Sequence, residues 1–94
     1  MNVTDTSLNL SDSFINKIQN NLPNSLEYFF CDNNQITKIE NLPNNLQKFS
    51  CSKNQITKIE NLPNSLKLFF CISNSITKIE NLPNNLQWFD CECN

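Results

Sequence analysis

The stretch Asn34-Gln-Ile-Thr-Lys-Ile-Glu-Asn-Leu-Pro43 occurs three times in this chain of 94 residues. It returns unchanged at 54–63, and at 74–83 a serine replaces its glutamine. The spacing is 20 residues each time. A fixed period of this size is typical of a solenoid, in which each repeat forms one coil that stacks on the previous one. We therefore expect one small domain whose core is continuous along the solenoid axis.

The composition argues against several classes of function. The chain contains no Arg, His or Gly, and its net charge is −2. Without His it lacks the commonest general base and metal ligand, and without Gly it lacks the loops that cradle phosphates. A weak charge with no basic cluster is not typical of nucleic-acid binding. We expect no enzyme activity, no metal or cofactor, and no nucleic-acid partner.

The N-terminus and the cysteines indicate the cellular compartment in which the protein is found. The first ten residues have no basic start and no apolar run, so they do not resemble a signal peptide. No stretch approaches the roughly 18 apolar residues of a membrane span. The five cysteines, an odd number, favour a reducing interior over a secreted disulfide scaffold. We expect a cytoplasmic protein without a membrane partner.

The repeat register divides the chain into two parts. Residues 22–94 follow the period of 20 cleanly, whereas residues 1–21 match it with one extra residue. With an offset of 21, Leu8 and Leu10 fall where Phe29 and Cys31 stand. We interpret residues 1–21 as a degenerate first repeat that caps the core, because terminal repeats are usually atypical.

Each clean repeat predicts a short strand followed by an extended return. Phe29 and Cys31 are two residues apart, which is the spacing of side chains on one face of a strand. Strands from successive coils would lie about 4.8 Å apart in a parallel sheet. The Leu-Pro segment of every coil has no helical periodicity, and Pro fixes φ and supplies no donor. Little or no α-helix is expected.

These residues resemble a leucine-rich repeat, whose pattern is L-x-x-L-x-L-x-x-N-x-L. The matching run here is Leu46-x-x-Phe49-x-Cys51-x-x-Asn54-x-Ile56, and residues 22–94 contain four copies of it, the last of which extends only to its Asn. The 20-residue unit is similar to repeats of bacterial effector proteins, and the run Cys-x-x-Asn-x-Ile-Thr-x-Ile is similar to repeat proteins of giant DNA viruses. Phe and Cys stand where Leu is usual, and Ile-Glu-Asn stands where the bacterial form has Leu-Pro-Glu.

The resemblance implies the α/β repeat class in a β-rich form. The expected architecture is a right-handed solenoid with a short-stranded parallel sheet on its concave face and extended or turn connections on its convex face. The repeated Lys and Glu of the connections would form a solvated part of that convex face. If the chain is viral, the compartment would be the host cytoplasm.

Two repeated columns have structural interpretations. An Asn amide both donates and accepts, so it can satisfy backbone groups that a bend buries, and the resemblance implies a ladder of such residues: Asn34, Asn54, Asn74 and Asn94. An inward line of thiols suits neither a tetrahedral zinc site nor the torsion of a disulfide. We therefore expect buried packing of Cys31, Cys51, Cys71 and Cys91, with only Cys93 outward and reactive.

The coils differ most at the outward positions around the strands. Several of these residues are aromatic or aliphatic, and a contiguous exposed apolar surface usually marks an interaction site. An alternative is that some of them pack against a neighbouring segment. The predicted partner-binding residues on the concave face are Tyr28, Phe30, Asp32, Lys48, Leu68, Phe70, Ile72, Trp88, Asp90 and Glu92.

The predicted function is a non-catalytic scaffold that binds a protein partner through this sheet face. One alternative is self-assembly through the C-terminal edge, because the chain stops at Asn94 with no capping segment and the edge of a sheet can pair with another chain. Another is that the repeats recognise substrates for a larger protein, because the bacterial effectors they resemble can carry a ubiquitin-ligase domain.

Overall fold

A computed structural model describes the backbone of residues 2–3 and 6–94 and the side chains of residues 6–94. Part of the predicted capping repeat, residues 1, 4 and 5, lies outside this description. The strands in chain order are β1 (Asn2–Val3), β2 (Ser7–Asn9), β3 (Tyr28–Phe30), β4 (Lys48–Ser50), β5 (Lys58–Ile59), β6 (Leu68–Phe70), β7 (Lys78–Ile79) and β8 (Trp88–Asp90). The described residues form no helix, and hence none that could cross a membrane.

Six strands form the main sheet in the order β1-β2-β3-β4-β6-β8. From β2 to β8 every neighbouring pair is parallel. Phe29 pairs with Phe49, Phe49 with Phe69, and Phe69 with Phe89. The chain is therefore a β-rich parallel solenoid of about four turns, with the spacing of 20 residues that the repeats predict.

The first turn is one residue longer than the others. Leu8 of β2 pairs with Phe29 of β3, which is the register that the offset of 21 predicts. β1 then adds to the outer edge of β2 in the antiparallel direction, with Asn2 opposite Asn9. The sequence pattern does not predict β1, because a strand of two residues is too short to show a periodicity.

The core consists of columns of identical or similar side chains, one from each coil. Because each coil repeats the register of the last, the phenylalanines stack with ring centroids 5.7, 5.7 and 5.4 Å apart and nearly parallel planes. Stacked aromatic rings at such distances attract one another beyond the effect of burial alone. The side chains with no exposed surface are Leu8, Ile18, Phe29, Cys31, Ile36, Ile39, Leu46, Phe49, Cys51, Ile56, Ile59, Leu66, Phe69 and Cys71.

The coils bend at positions where φ is positive, although the chain has no Gly. The bend that follows the strand uses a different residue in each coil: Asn33, Lys53, Ser73 and Cys93. Before the last three of the four Leu-Pro pairs the bend uses an asparagine: Asn41, Asn61 and Asn81. The left-handed conformation costs most residues about 1–2 kcal/mol, and Asn tolerates it better. The repeated Asn-Leu-Pro is therefore explained by backbone geometry.

A second sheet of two strands, β5 and β7, lies in the connections, with Lys58 opposite Lys78. The sequence analysis predicts extended or turn connections, and the structure adds this pairing to them. Lys58 forms ion pairs with Glu60 at 3.4 Å and Glu80 at 3.1 Å, and Lys78 pairs with Glu80 at 3.1 Å. Partly exposed pairs of this kind contribute about 0–1 kcal/mol each. The charges on this side of the molecule are thus largely paired with one another.

Candidate partner-binding face

The candidate site is the side of the main sheet that points away from the phenylalanine column. Successive side chains of a strand alternate between the two faces of a sheet, so the first and third residue of each strand lie on this side. We call these two columns the sheet face. The first column is Tyr28, Lys48, Leu68 and Trp88, and the second is Phe30, Ser50, Phe70 and Asp90.

The sheet face carries a run of partly exposed apolar side chains. Trp88 is 60% exposed and Tyr28 is 38% exposed, at opposite ends of the first column. Between and beside them, Phe30, Leu68 and Phe70 are half-buried. Ile72, just beyond the end of β6, is also half-buried. The structure thus brings six apolar residues of the predicted site to one side of the sheet.

The middle of the sheet face has a feature that the sequence analysis did not identify. The Lys48 Nζ lies 5.3 Å from the ring centroid of Phe30 and 5.5 Å from that of Phe70. Both distances are within the range of cation–π attraction. Between these two rings the second column has Ser50 in place of an aromatic residue, and this serine is only 7% exposed. The small residue leaves space for the Lys48 side chain of the same strand.

Asp32, one of the predicted partner-binding residues, is hydrogen-bonded within the fold. Its Oδ1 accepts a hydrogen bond from the Ser50 hydroxyl at 2.6 Å and from the Ser52 N–H at 2.8 Å. The sequence offered no sign of this, because neither serine is a repeated residue. Asp90 also accepts from the backbone N–H of Glu92 at 3.1 Å, while Glu92 itself is exposed. Of the three predicted acidic residues, Asp32 is thus the one most engaged in internal contacts.

The asparagine column connects each coil with its neighbour. The amide nitrogen of Asn54 donates to the carbonyl oxygens of Cys31, Cys51 and Ser52 at 3.0, 3.0 and 3.1 Å. Its Oδ1 accepts from the Ile36 N–H at 2.9 Å. One amide thus satisfies backbone groups from two coils. Equivalent sets of bonds are made by Asn34, Asn74 and Asn94.

The cysteine column lies beside the stacked phenylalanines. Cys31, Cys51 and Cys71 are buried and free of disulfides. Burial raises the pKa of the Cys31 thiol, with a further contribution from Asp32, and burial followed by the neighbouring thiols raises that of Cys51. Burial, Cys91 and Asp90 together raise the pKa of Cys71 to about 12. The thiolate is the reactive form of cysteine, and a raised pKa keeps these side chains in the thiol form. They therefore contribute to the packing of the core and are poorly suited to act as nucleophiles.

Cys91 differs from the expectation of a fully buried column, since it is half-buried. It follows β8, the last strand of the sheet, and among the described residues no further coil covers it. The same applies to its neighbours on this end of the core: Ile79 is 46% exposed and Leu82 is 39% exposed, whereas Ile59 one coil earlier has no exposed surface. Cys93 is exposed.

A thiol-reactive dye should therefore distinguish the cysteines by position. We expect Cys93 to react fastest, Cys91 more slowly, and the other three only at the rate at which the protein opens, because the thiolate is both scarce and shielded there. The measurement is absorbance against time under native conditions, with Cys93→Ser as the control that removes the fast phase. Fast reaction of a third thiol would contradict the buried column.

Two further depressions of the surface are lined mainly by polar residues. A shallow groove of about 550 Å³ follows the strand starts, and a smaller pocket of about 170 Å³ lies beside the exposed Phe14. Within residues 6–94 no group of three or more Cys, Asp or Glu side chains is placed to hold a metal ion.

No protein-family model matches the chain, and no curated protein resembles it significantly. The sheet face remains the surface with the strongest features of a binding site.

Proposed function

We propose that this chain is a leucine-rich-repeat module that binds a protein partner through the sheet face and performs no catalysis. The observation that carries this proposal is the position of Trp88 and Tyr28, two exposed aromatic side chains at the ends of the first column of the sheet face, with the apolar Leu68 next to Trp88. Exposed apolar surfaces of this kind mark interaction sites. Tyr and Trp are enriched among the residues that contribute most to binding.

The repeat register supports the same proposal. Positions inside the core keep one residue type from coil to coil, whereas the sheet face carries four different residues in its first column. The side of the molecule that carries β5 and β7 has fewer groups free to bind a partner. Its Lys58 and Lys78 form ion pairs with Glu60 and Glu80. Surface that is unpaired and chemically varied is better suited to recognition than surface that is neutralised and repetitive.

The assignment to the leucine-rich-repeat class rests on the hydrogen-bonded asparagine column and the short parallel strands. Both agree with the leucine-rich repeat that the sequence resembles, and on that basis we propose a right-handed solenoid with the sheet on its concave side. The buried free thiols favour a reducing compartment, which supports a cytoplasmic location.

Affinity capture with matched variants tests the proposed function. The double variant Phe70→Ser/Trp88→Ser removes two aromatic rings from the sheet face, and we expect it to lose at least one protein that the wild type captures. Loss of one such anchor commonly costs about 2 kcal/mol or more of binding free energy. The bound proteins are compared quantitatively by mass spectrometry across three baits.

The third bait is the control Phe14→Ser. Phe14 is 88% exposed and lies outside the sheet face. Its replacement therefore reduces non-specific hydrophobic binding and leaves the proposed site unchanged. All three baits should retain the circular dichroism of the wild type, because both sheet-face residues are partly exposed. If the double variant keeps every protein that Phe14→Ser keeps, the sheet face is not the binding site. If it unfolds, the two residues belong to the core.

A further inference from the structure

Lys48 places a positive charge between two aromatic rings of the sheet face. No carboxylate in residues 6–94 forms an ion pair with it, whereas Lys58 and Lys78 are both paired. Its ammonium group lies between the Phe30 and Phe70 rings, at the centre of the sheet face. An unpaired charge placed among apolar side chains is a feature that a partner can recognise.

The aromatic rings beside the Lys48 ammonium group attract its charge but do not accept conventional hydrogen bonds from it. An aromatic ring stabilises a cation through its quadrupole, but an ammonium group has three N–H donors to satisfy. The hydroxyl of Ser50, on the same strand as Lys48, donates to Asp32. No hydrogen bond joins the Lys48 ammonium to another residue within 6–94. Its donors are therefore available to a group that arrives from outside.

The carboxylates that are less engaged within the fold lie at the β8 end of the same face, whereas Asp32, next to the strand of Lys48, already accepts hydrogen bonds from the Ser50 hydroxyl and the Ser52 N–H. Asp90 belongs to the second column, and Glu92 follows it in an exposed position. β8 lies two strands away from β4 in the sheet order. With neighbouring strands about 4.8 Å apart, the two charged regions are separated by about 10 Å along the solenoid. The sheet face thus presents a positive charge, an apolar interval that includes Leu68, and a negative region, in that order.

We propose that the partner is an extended peptide segment that places a carboxylate against Lys48 and a basic side chain near Asp90 and Glu92. This inference rests on the proposed function of the sheet face. An extended chain advances about 3.3 Å per residue, so the acidic and basic residues of the peptide would be about three positions apart. Apolar side chains beside the carboxylate would pack against Phe30 and Phe70. A nucleic acid fits less well, because Asp90 and Glu92 would repel its phosphates.

A library of random peptides displayed on phage tests the proposal directly. The wild-type chain is the bait, and the sequences recovered should be enriched in Asp or Glu next to an aromatic or aliphatic residue, with Lys or Arg about three positions away. Synthetic copies of these peptides are then titrated against three variants. Lys48→Met should weaken binding about thirtyfold, as expected when one member of a shielded charge pair is removed, and Lys48→Glu should weaken it further.

The control is Lys38→Met, which removes an exposed lysine outside the sheet face and should leave affinity unchanged. Replacing the acidic residue of the peptide by its amide should weaken binding to the wild type strongly and to Lys48→Met little. Circular dichroism and thermal unfolding check that each variant is folded. Together these measurements separate a specific charge contact from a general loss of positive charge.

The outcomes distinguish this inference from the proposed function. Peptides without an acidic residue, or peptides that bind Lys48→Met as tightly as the wild type, would overturn the charge contact. The proposed function would stand in that case if the same peptides still lose affinity for Phe70→Ser/Trp88→Ser. Equal binding to that double variant would instead contradict the sheet face as a site. Recovery of no binding peptide would overturn the extended-peptide partner, and the capture experiment would then decide the proposed function on its own.

Discussion

Replacing Asn54 by alanine is expected to lower the free energy of unfolding by about 2–3 kcal/mol, since a buried N–H that loses its only acceptor costs about 1–3 kcal/mol and the hydrogen bonds of the amide group are lost with it. The change removes the acceptor of the Ile36 N–H and a donor shared by three carbonyl groups in two coils. Asn54 is only 8% exposed, so water cannot replace these bonds without opening the coil. Since domains of this size are stable by about 5–15 kcal/mol, the variant should lose a substantial part of its stability.

Urea unfolding followed by circular dichroism measures this effect, and the chain contains its own controls. Asn94 makes the same four bonds but is exposed, so Asn94→Ala should cost less than about 1 kcal/mol. Asn64 is exposed, and Asn64→Ala should change stability by less than about 0.5 kcal/mol. Asn54→Asp keeps the acceptor but turns a carboxylate oxygen toward three carbonyl oxygens, so it should not restore stability. Equal costs at Asn54 and Asn94 would contradict the explanation.

The second large effect is a loss of stability at alkaline pH. Burial raises the pKa of three thiols, those of Cys31, Cys51 and Cys71, above the usual value of about 8.5. Below that value both folded and unfolded chains hold these protons, so stability does not depend on them. Above it the unfolded chain releases protons that the folded chain retains, and stability falls as pH rises. For Cys71 this decline continues up to a pKa of about 12.

The expected size follows from linkage. Each thiol lowers the free energy of unfolding by about 1.4 kcal/mol per pH unit in this window, and three lower it by about 4 kcal/mol per unit. The measurement is urea unfolding between pH 7 and 10 in the presence of a reductant, below the range where most lysines lose their charge. We expect a plateau to about pH 8 and a steep decline beyond it.

Matched variants assign this decline to the buried thiols. Cys51→Ala should be less stable at neutral pH, because it leaves a cavity, but its stability should fall with pH only about two-thirds as steeply as that of the wild type. Cys93→Ser changes an exposed thiol and should leave the slope as it is. An unchanged slope in Cys51→Ala would show that the alkaline transition has another origin.

The repeated residues allowed much of the fold to be predicted. The period of 20 predicts the parallel register of Phe29, Phe49, Phe69 and Phe89, because a solenoid can stack only when equivalent residues meet. The offset of 21 likewise predicts the pairing of Leu8 with Phe29. The antiparallel β1 and the small β5–β7 sheet were not predicted. β1, β5 and β7 are each only two residues long. Two residues are too few to show the alternation of side chains by which a strand is predicted from sequence.

The candidate site was less accessible to sequence reasoning. Alternation along the strands predicts which residues share the sheet face, but not how far each side chain is covered. The Asp32 contacts join residues 18 and 20 positions apart, and neither bond involves a repeated residue. The location of Lys48 between two rings depends on Ser50 being small. A signal for it does exist, since one coil alone has Lys and Ser in place of apolar residues at both positions.

The stretch repeated from Asn34 to Pro43 is thus best explained by structure. It provides the amide that joins two coils, the inward isoleucines and the bend before Leu-Pro. Its sameness keeps the coils in register and leaves little room for specificity. We propose that specificity lies in the short strands between the repeats, where the sheet face changes from coil to coil.

Fluorescence of Trp88 tests this central claim most directly, because it is the single tryptophan of the chain, lies on the sheet face and is 60% exposed. The probe is a tryptophan-free peptide recovered with the wild-type chain as bait, added until binding is saturated. Docking on the sheet face should shift the Trp88 emission to shorter wavelength and reduce its quenching by acrylamide at least about twofold, because water is excluded around the centre of an interface. Saturating binding that leaves both the emission and the quenching of Trp88 unchanged would contradict the sheet face as the binding site.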